Sequence, residues 1–473
     1  ANNTAMGYLA LNLNTTGARN TAVGQSALAA NTTASNNTGV GNNVLASNTT
    51  GTSNTAVGRN ALDSNTTADN NTALGMNALT ANTTGHSNVA VGFEALKTNI
   101  DGDGLVAIGY KALNVFEPND GLRYTIAIGY EAGLACTQGG DNVFIGGLAG
   151  HDVTDGNNNV AIGKNALATN VQGDRNTAVG YEALTTMNPS GDVDTNNTAF
   201  GYQALKANTT GVRNTAVGTE AGSALTTGDN NTAIGLGALN TSTSGDNNVA
   251  LGYQALERLT SGANNTAVGF NAGEDITTGT RNTLIGGLAS EALTTGSANV
   301  VIGYDCETSA VDTGNSIVMG ESVTGVGGNN FTFGNGSLDS NIAFGATSIT
   351  APSDIRLKED IQDEEIGLDF INDLRPVTFQ WKKEKDIPSD MRAYKEGSEE
   401  RVMNGKYNHG FIAQEVKEVI DNHNLKDGFD MWAEDEADGR QRIGEAALMS
   451  VMVKAVQELS TQVDELKSEL LAL

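Results

Sequence analysis

The sequence has few of the residues on which redox, metal and disulfide-stabilised domains depend. Its 473 residues include two cysteines, five prolines and two tryptophans, and only 5% are aromatic. Two cysteines, Cys136 and Cys306, cannot form a disulfide framework. The C-terminal region has His409 and His423 but no cysteine, so we predict neither a metal site nor a cofactor.

Long apolar runs and basic clusters are also missing. No run approaches the roughly 18 apolar residues that a membrane helix needs. The 55 acidic residues outnumber the 27 Lys and Arg, which gives a net charge of −28. This charge argues against nucleic acid and anionic membranes as partners, because both are bound by basic surfaces. It favours solubility and repulsion between neighbouring molecules.

Charged residues divide the chain at one place. They number 38 among residues 1–352 and 44 among the 121 residues of 353–473. Both tryptophans and three of the five prolines lie at or beyond this point. A change this sharp predicts a domain border near residue 352.

A 17-residue repeat fills most of the N-terminal part. Residues 54–67 read Asn-Thr-Ala-Val-Gly-x-x-Ala-Leu-x-x-Asn-Thr-Thr. The glycine of this unit, here the marker glycine, occurs 19 times, with three extra residues before position 129 and four before position 201. It stands at positions 7, 24, 41, 58, 75, 92, 109, 129, 146, 163, 180, 201, 218, 235, 252, 269, 286, 303 and 320.

A unit of this length is too short for two packed helices and suits one coil of a β-solenoid. In one unit Thr55 and Val57 lie on one face of a short strand and Ala56 lies on the other. Gly58 permits a turn with positive φ, and residues 65–67 close the coil with turn-forming side chains. We therefore predict a mainly β shaft over residues 1–320 and an irregular junction over residues 321–352, where the spacing decays at Gly334 and Gly345.

Each coil has a small apolar content, so one chain offsets little of its ordering entropy. Three chains around one axis would enlarge the core, and we expect the Ala and Val/Ile positions to face that common interior. The pattern is similar to the β-roll heads of trimeric autotransporter adhesins and to the shafts of phage tail fibres. This resemblance implies a homotrimer.

Other uses of the shaft are open. The Asn-x-Thr triplets match glycosylation acceptors but are better explained as turns. Regular threonine arrays can bind ice or glycans, but no flat Thr-x-Thr face recurs. The inserted segments, residues 114–124 and 187–195, are either tolerated loops or binding loops.

Beyond residue 352 the periodicity changes. Residues 363–374 predict a helix that Pro376 ends, and residues 377–381 predict a strand. Residues 383–408 predict an exposed loop, and residues 410–414 predict a second strand that runs into a helix.

The last residues follow heptad spacing. This seam consists of Met449, Met452, Val456, Leu459, Val463, Leu466, Leu470 and Leu473. An apolar stripe this narrow predicts a coiled coil over residues 449–473, which requires partner helices. A single amphipathic helix packed on a globular body is the alternative.

Three ordered motifs in this region resemble the peptidase S74 domains, the intramolecular chaperones of phage tail spikes, tail fibres and endosialidases. They are Ser353-Asp354-Ile355-Arg356-Leu357-Lys358-Glu359-Asp360-Ile361, then Gly410-Phe411-Ile412-Ala413-Gln414-Glu415-Val416, and finally Lys454-Ala455-Val456-Gln457-Glu458-Leu459. The resemblance covers residues 353–473.

The resemblance implies a domain that trimerises, directs folding of the shaft and then cuts itself off. Its only enzyme activity would be a single serine-type self-cleavage, with Ser353 as nucleophile, Lys358 as general base and Pro352–Ser353 as the bond cut. Residues five apart on a regular helix lie about 140° apart around its axis. The pair therefore requires an irregular segment or two subunits.

The function predicted from these features is a trimeric virion or extracellular fibre that attaches to a glycan or receptor on a cell surface. A bacterial surface adhesin is one alternative. A tailspike with a glycan-degrading domain outside this chain is another, because acidic residues in the shaft are too scattered for paired catalytic carboxylates. A membrane-tethered transcription factor is disfavoured, because neither a membrane helix nor a basic DNA-binding segment is present.

Overall fold

The computed structural model describes residues 2–117, 124–337, 339–346, 349–350, 353, 355–389, 391, 393–403, 405–425, 429, 431–434 and 441–472. The chain divides into two units, Ala1–Pro352 and Ser353–Leu473. The predicted site residues Pro352 and Asp354, the last seam residue Leu473 and part of the first inserted segment lie outside the described residues.

Each coil of the first unit contributes one short strand to a single parallel sheet, which confirms the predicted mainly β solenoid. Paired residues are 17 positions apart in regular coils, as in Thr55 with Thr72 and Ala56 with Ala73. The coil strands are Thr4–Met6, Thr21–Val23, Thr38–Val40, Thr55–Val57, Thr72–Leu74, Val89–Val91, Val106–Ile108, Ile126–Ile128, Val143–Ile145, Val160–Ile162, Thr177–Val179, Thr198–Phe200, Thr215–Val217, Thr232–Ile234, Val249–Leu251, Thr266–Val268, Thr283–Ile285, Val300–Tyr304 and Ile317–Glu321.

Each coil closes an apolar interior of its own. In one unit Ala56, Ala61 and Leu62 have no solvent exposure. Val57 points to the opposite face of the sheet and is half-buried. The expectation that the Ala and Val/Ile positions share one interior is therefore wrong, because alternation along a strand sends neighbouring side chains to opposite faces.

Two buried asparagine ladders connect the coils through the interior. The Asn54 side chain accepts a hydrogen bond from the backbone N–H of Asn71 at 2.9 Å and donates one to the Ala68 carbonyl oxygen at 2.8 Å. In the second ladder the Asn65 amide donates to the Asn48 side-chain oxygen at 2.7 Å. These bonds satisfy polar groups that would otherwise cost free energy when buried.

The second ladder ends where its column becomes apolar. Asparagine fills this column from position 14 to position 99, after which Phe116, Cys136 and Val153 follow. Asn208 stands in the same column between Met187 and Leu225, and neither of its side-chain polar atoms has a hydrogen-bond partner among the described residues. Asn170 also stands between apolar neighbours in this column, but its side chain bonds to the backbone carbonyl and N–H of Gly173 in its own coil at 2.8 and 2.9 Å.

The marker glycines have a conformation and surroundings that exclude other residues. Their φ angles lie between +129° and +145°. A Cβ atom on Gly58 would lie 2.5 Å from the carbonyl oxygen of Gly75 in the next coil. The coil therefore turns where only glycine is tolerated.

The sheet extends into the predicted irregular junction. Asn330–Gly334 pairs in parallel with Ile317–Glu321 at a shorter spacing, in which Ile317 faces Phe331. Ser340–Ala343 then pairs antiparallel with Asn330–Gly334. The reversed strand ends the parallel stack on this side. In the second inserted segment, Val193–Asp194 pairs with Gly173–Asp174, and Arg175 forms an ion pair with Asp194.

Among its described residues, the second unit combines three α-helices with two antiparallel strand pairs. The helices are α1 (Leu368–Asp373), α2 (Ala413–Asn422) and α3 (Leu448–Ala472). Val377–Phe379 pairs with Asn408–Gly410, and Trp432–Glu434 pairs with Gln441–Ile443. Short 3₁₀ turns lie at Ile355–Leu357, Glu384–Asp386 and Glu445–Ala447.

The first helix and the second strand of this unit are shorter than the sequence predicts. The first helix begins at Leu368 rather than at residue 363, and the second strand ends at Gly410 rather than at residue 414. The core joins all three helices. Its buried members are Phe370, Leu374, Val416, Ile420, Met431, Leu448 and Val451.

Helix α3 uses one face for its own unit and leaves the heptad seam exposed. Its buried residues are Leu448, Val451 and Ala455, none of which belongs to the seam. By contrast, Val456 is 66% exposed and Leu466 is 64% exposed. None of the helices in the described part of the chain is long and apolar enough to cross a membrane.

A half-buried carboxylate lies near the end of the shaft. The Glu307 side chain accepts a hydrogen bond from the Ala292 backbone N–H at 3.3 Å. Burial, followed by repulsion from Glu291 and Asp305, raises the pKa of Glu307 to about 7. The folded shaft therefore binds this proton more tightly than the unfolded chain does.

We expect Gly58→Ala to lower the stability of the shaft by about 1–3 kcal/mol, because its φ and the Gly75 carbonyl both oppose a Cβ atom. Gly147→Ala is the matched control, since a Cβ atom there has no neighbour within 4 Å. Thermal unfolding followed by circular dichroism measures the difference. Equal losses in both variants would contradict the argument.

Glu307→Gln is expected to remove a pH dependence of stability. The pKa of Glu307 rises from 4.5 unfolded to about 7 folded, so the folded state holds more protons between these values. Wild-type stability should then fall as pH rises through this window. Melting temperatures should coincide below the window, and the variant should melt higher above it. An unchanged difference between the two proteins across the window would refute this assignment.

Candidate functional site

Ser353 and Lys358 lie together in one chain. The Lys358 ammonium nitrogen donates a hydrogen bond to the Ser353 hydroxyl oxygen at 2.8 Å. Among the described residues between them, Ile355–Leu357 form a short 3₁₀ turn. This irregular segment removes the angular separation that a regular α-helix would impose, so the contact needs no second subunit.

The distance between these side chains suits a nucleophile and its general base, but the base is not buried. Both side chains are exposed. A serine hydroxyl is a weak nucleophile without an adjacent base, and a lysine becomes a base when desolvation favours its neutral form. For Lys358 to act as a base, another protein surface would therefore have to cover it and exclude water.

The second motif joins a strand to helix α2. Gly410 pairs with Val377 at the end of the short antiparallel ladder. Phe411 packs, partly buried, against the core of the unit. Gln414 is exposed on α2 and, with Phe411, lines a groove that Phe379 and Trp381 also border.

Glu415 ties α2 to the end of α1. Its carboxylate accepts a hydrogen bond from Arg375 Nε at 2.9 Å and makes a second, parallel contact with the same guanidinium group. This hydrogen bonding lowers the pKa of Glu415 below its usual value. The motif glutamate therefore links α2 to the segment that follows α1, and it does not contact Ser353 or Lys358.

The third motif supplies a cap that the sequence reasoning missed. Glu458 of α3 accepts a hydrogen bond from the Leu368 backbone N–H at 2.8 Å. Leu368 is the first residue of α1, and Gly367 before it offers no capping side chain. A Cβ atom on Gly367 would lie 2.3 Å from the Glu458 carboxylate. The sequence did contain a signal for such a cap, namely a helix start with no capping side chain of its own. The first N–H groups of a helix require hydrogen-bond partners.

The two histidines of this unit have structural surroundings. His409 lies in a strand, with Nδ1 3.5 Å from the Thr378 hydroxyl. His423 Nε2 lies 2.8 Å from the Asp373 carboxylate, and its ring packs edge-on against Phe370. Among the described residues, no three His, Cys, Asp or Glu side chains come together as metal ligands would.

Comparison with known families identifies the second unit. Residues 353–425 match the peptidase S74 family model, described as a chaperone of endosialidase. The chain therefore carries a domain of this family at its C-terminal side, which confirms the resemblance for the first two motifs. The third motif lies beyond the matched residues. The match begins at Ser353 and ends before α3. No curated protein and no solved structure matches the chain.

Proposed function

We propose that the protein is a homotrimeric fibre of a virion or cell surface, whose C-terminal unit directs trimerisation and folding of the shaft and then cleaves the chain once. The observation that carries this proposal is the match of residues 353–425 to the endosialidase chaperone family, next to a β-solenoid. Attachment to a glycan or receptor on a target cell is the function that such a fibre would serve.

The exposed seam of α3 supports the trimer. Val456, Leu459 and Leu466 lie on the face that α3 does not use for its own core. A row of apolar residues at heptad spacing is stabilised when partner helices cover it. Partner chains around α3 would bury this row.

The outer face of the shaft supports the same assembly. The residue before each marker glycine is apolar throughout the repeat, and many of these side chains remain exposed. Leu74 is 48% exposed and Ile108 is 37% exposed, for example. An apolar row of this length on a solvated face is typical of an interaction surface, and three shafts packed side by side would cover it.

The proposed cleavage is an intramolecular acyl transfer. The Lys358 amine, when neutral, takes the Ser353 hydroxyl proton, and Oγ attacks the carbonyl carbon of residue 352. The carbon–nitrogen bond breaks, the Ser353 nitrogen takes the proton, and an ester joins residue 352 to Ser353 Oγ. Water then hydrolyses the ester, which leaves a carboxylate on residue 352 and restores the hydroxyl group.

Assembly would activate this reaction. The pair is exposed in one chain, whereas its base requires desolvation. A neighbouring chain that covers Lys358 would supply that desolvation, so cleavage would follow correct trimerisation.

Wild-type protein should release residues 353–473, a fragment of 121 residues, on a denaturing gel. Ser353→Ala should abolish release, because it removes the nucleophile. Lys358→Arg should abolish it too, because a guanidinium group keeps its proton. Lys382→Arg is the control that should still be cleaved. Intact wild-type chain from a trimeric preparation would contradict the proposed cleavage.

The seam can be tested in a Ser353→Ala background, in which the C-terminal unit stays attached. Leu459→Asn together with Leu466→Asn should convert trimer to monomer, because both changes place amides on the seam. Leu471→Asn changes a residue that is 88% exposed and lies outside the seam, so it should leave the mass unchanged. Light scattering reports the mass. A trimer that survives the double change would exclude the seam as its basis.

A further inference from the structure

The residues that follow the marker glycines form a column of aromatic side chains. Residues 1–320 contain 13 Phe and Tyr, and nine of them stand in this single column. We call it the aromatic column; its aromatic members are Tyr8, Phe93, Tyr110, Tyr130, Tyr181, Tyr202, Tyr253, Phe270 and Tyr304. Most of them are tyrosine, which combines an apolar ring face with a polar edge.

Neighbouring rings in the column stack along the shaft. The centroids of Tyr110 and Tyr130 are 5.2 Å apart, and their planes differ by 7°. Phe93 stacks on Tyr110 in the same way at 5.3 Å. A ring inside such a run has both faces covered, and a ring at its end has one face free.

The run ends at Gly147, which leaves one face of Tyr130 open. Tyr130 is 55% exposed, although Tyr110 covers its other face. A Cβ atom on Gly147 would have no neighbour within 4 Å. Gly147 is also outside the positive-φ region. Neither the backbone nor packing therefore requires glycine here, and the consequence of having it is an empty space beside the ring.

The space between Tyr130 and Lys164 is high enough for one saturated ring. Lys164 is the next column residue beyond Gly147 and is exposed. Two coils separate Tyr130 from Lys164, which corresponds to about 9.6 Å at the spacing of paired strands. A ring in van der Waals contact with both side chains needs about 7–8 Å.

Polar groups stand beside the space. The Glu131 carboxylate adjoins Tyr130 and raises the pKa of its phenol above the usual value, chiefly through its charge. His151 Nε2 lies 3.9 Å from that carboxylate. An apolar ring face next to a carboxylate and an amine matches a ligand with one apolar face and a rim of hydroxyl groups.

We propose that the open face of Tyr130, with Gly147 as the floor, Lys164 opposite and Glu131 at the side, binds one hexopyranose ring of a glycan. The apolar C–H face of the sugar stacks on Tyr130, and its hydroxyl groups bond to Lys164 and Glu131. This site specifies the attachment step of the proposed function and rests on it. A second copy of the chain is the competing occupant, but a packed partner would favour a filled column over an empty position.

Saturation-transfer NMR on the whole protein tests the site. The probes are methyl β-glucopyranoside, methyl β-galactopyranoside and N-acetylglucosamine. At least one should receive saturation from the wild-type protein, most strongly at its axial ring protons. Gly147→Leu, which fills the space, and Tyr130→Ala should both lose the signal. Thr219→Leu alters the same column beside Tyr202 and should keep it.

The same samples separate the possible failures. Absence of transfer from all three probes, or transfer that survives Gly147→Leu, would overturn the sugar site. A change in assembly mass in Gly147→Leu or Tyr130→Ala would also overturn it, because the column would then be a contact between chains. Failed trimerisation or failed self-cleavage of wild-type protein would count against the proposed fibre and chaperone function, and the sugar signal would be unaffected.

Discussion

Stacking in register at 17-residue intervals is the constraint on which the shaft depends. The interior of a coil contains asparagine as well as alanine and leucine, so it cannot be stabilised by apolar burial alone. Asn54 is satisfied because a backbone N–H and a carbonyl lie at fixed offsets from it. A slip of one residue would leave these groups buried without partners, at about 1–3 kcal/mol for each group. The same register brings marker glycines against each other, where no side chain fits.

The coil also contains residues whose backbone conformation is unfavourable but whose side chains are buried. Leu62 has φ of +51°, a conformation that costs about 1–2 kcal/mol for a residue with a Cβ atom. Its side chain has no exposure, and full burial of leucine stabilises by about 1.5–3 kcal/mol. The two terms nearly balance in one coil. Stability therefore comes from many coils and their ladders, as expected of repeat proteins.

The two units leave apolar surface uncovered for different reasons. In the shaft, strand alternation sends Ala56 inward and Val57 outward, so a regular repeat produces an outer apolar row. In the C-terminal unit, α3 packs through Leu448, Val451 and Ala455, and its seam faces away. The seam is thus distinct from the face that packs on the core. Both surfaces are consistent with assembly of several chains.

Much of this architecture could be predicted from the sequence. The spacing of glycines determined the solenoid and its 17-residue coil, because parallel stacking repeats the same contacts in every coil. The change in charged-residue content near residue 352 divides the composition into two parts. The motifs that begin at Ser353 indicated the family. Strand alternation also predicted opposite faces for Ala56 and Val57. The expectation of a shared interior did not take this alternation into account.

Only the tertiary structure decided how distant residues meet. The 2.8 Å contact of Ser353 with Lys358 depends on an irregular turn, and local helix propensity does not predict one. The cap on α1 comes from Glu458, 90 residues along the chain. The empty space beside Tyr130 exists because stacking places Gly147 next to it. Sequence spacing fixes what repeats, whereas contacts made once depend on how the chain folds back on itself.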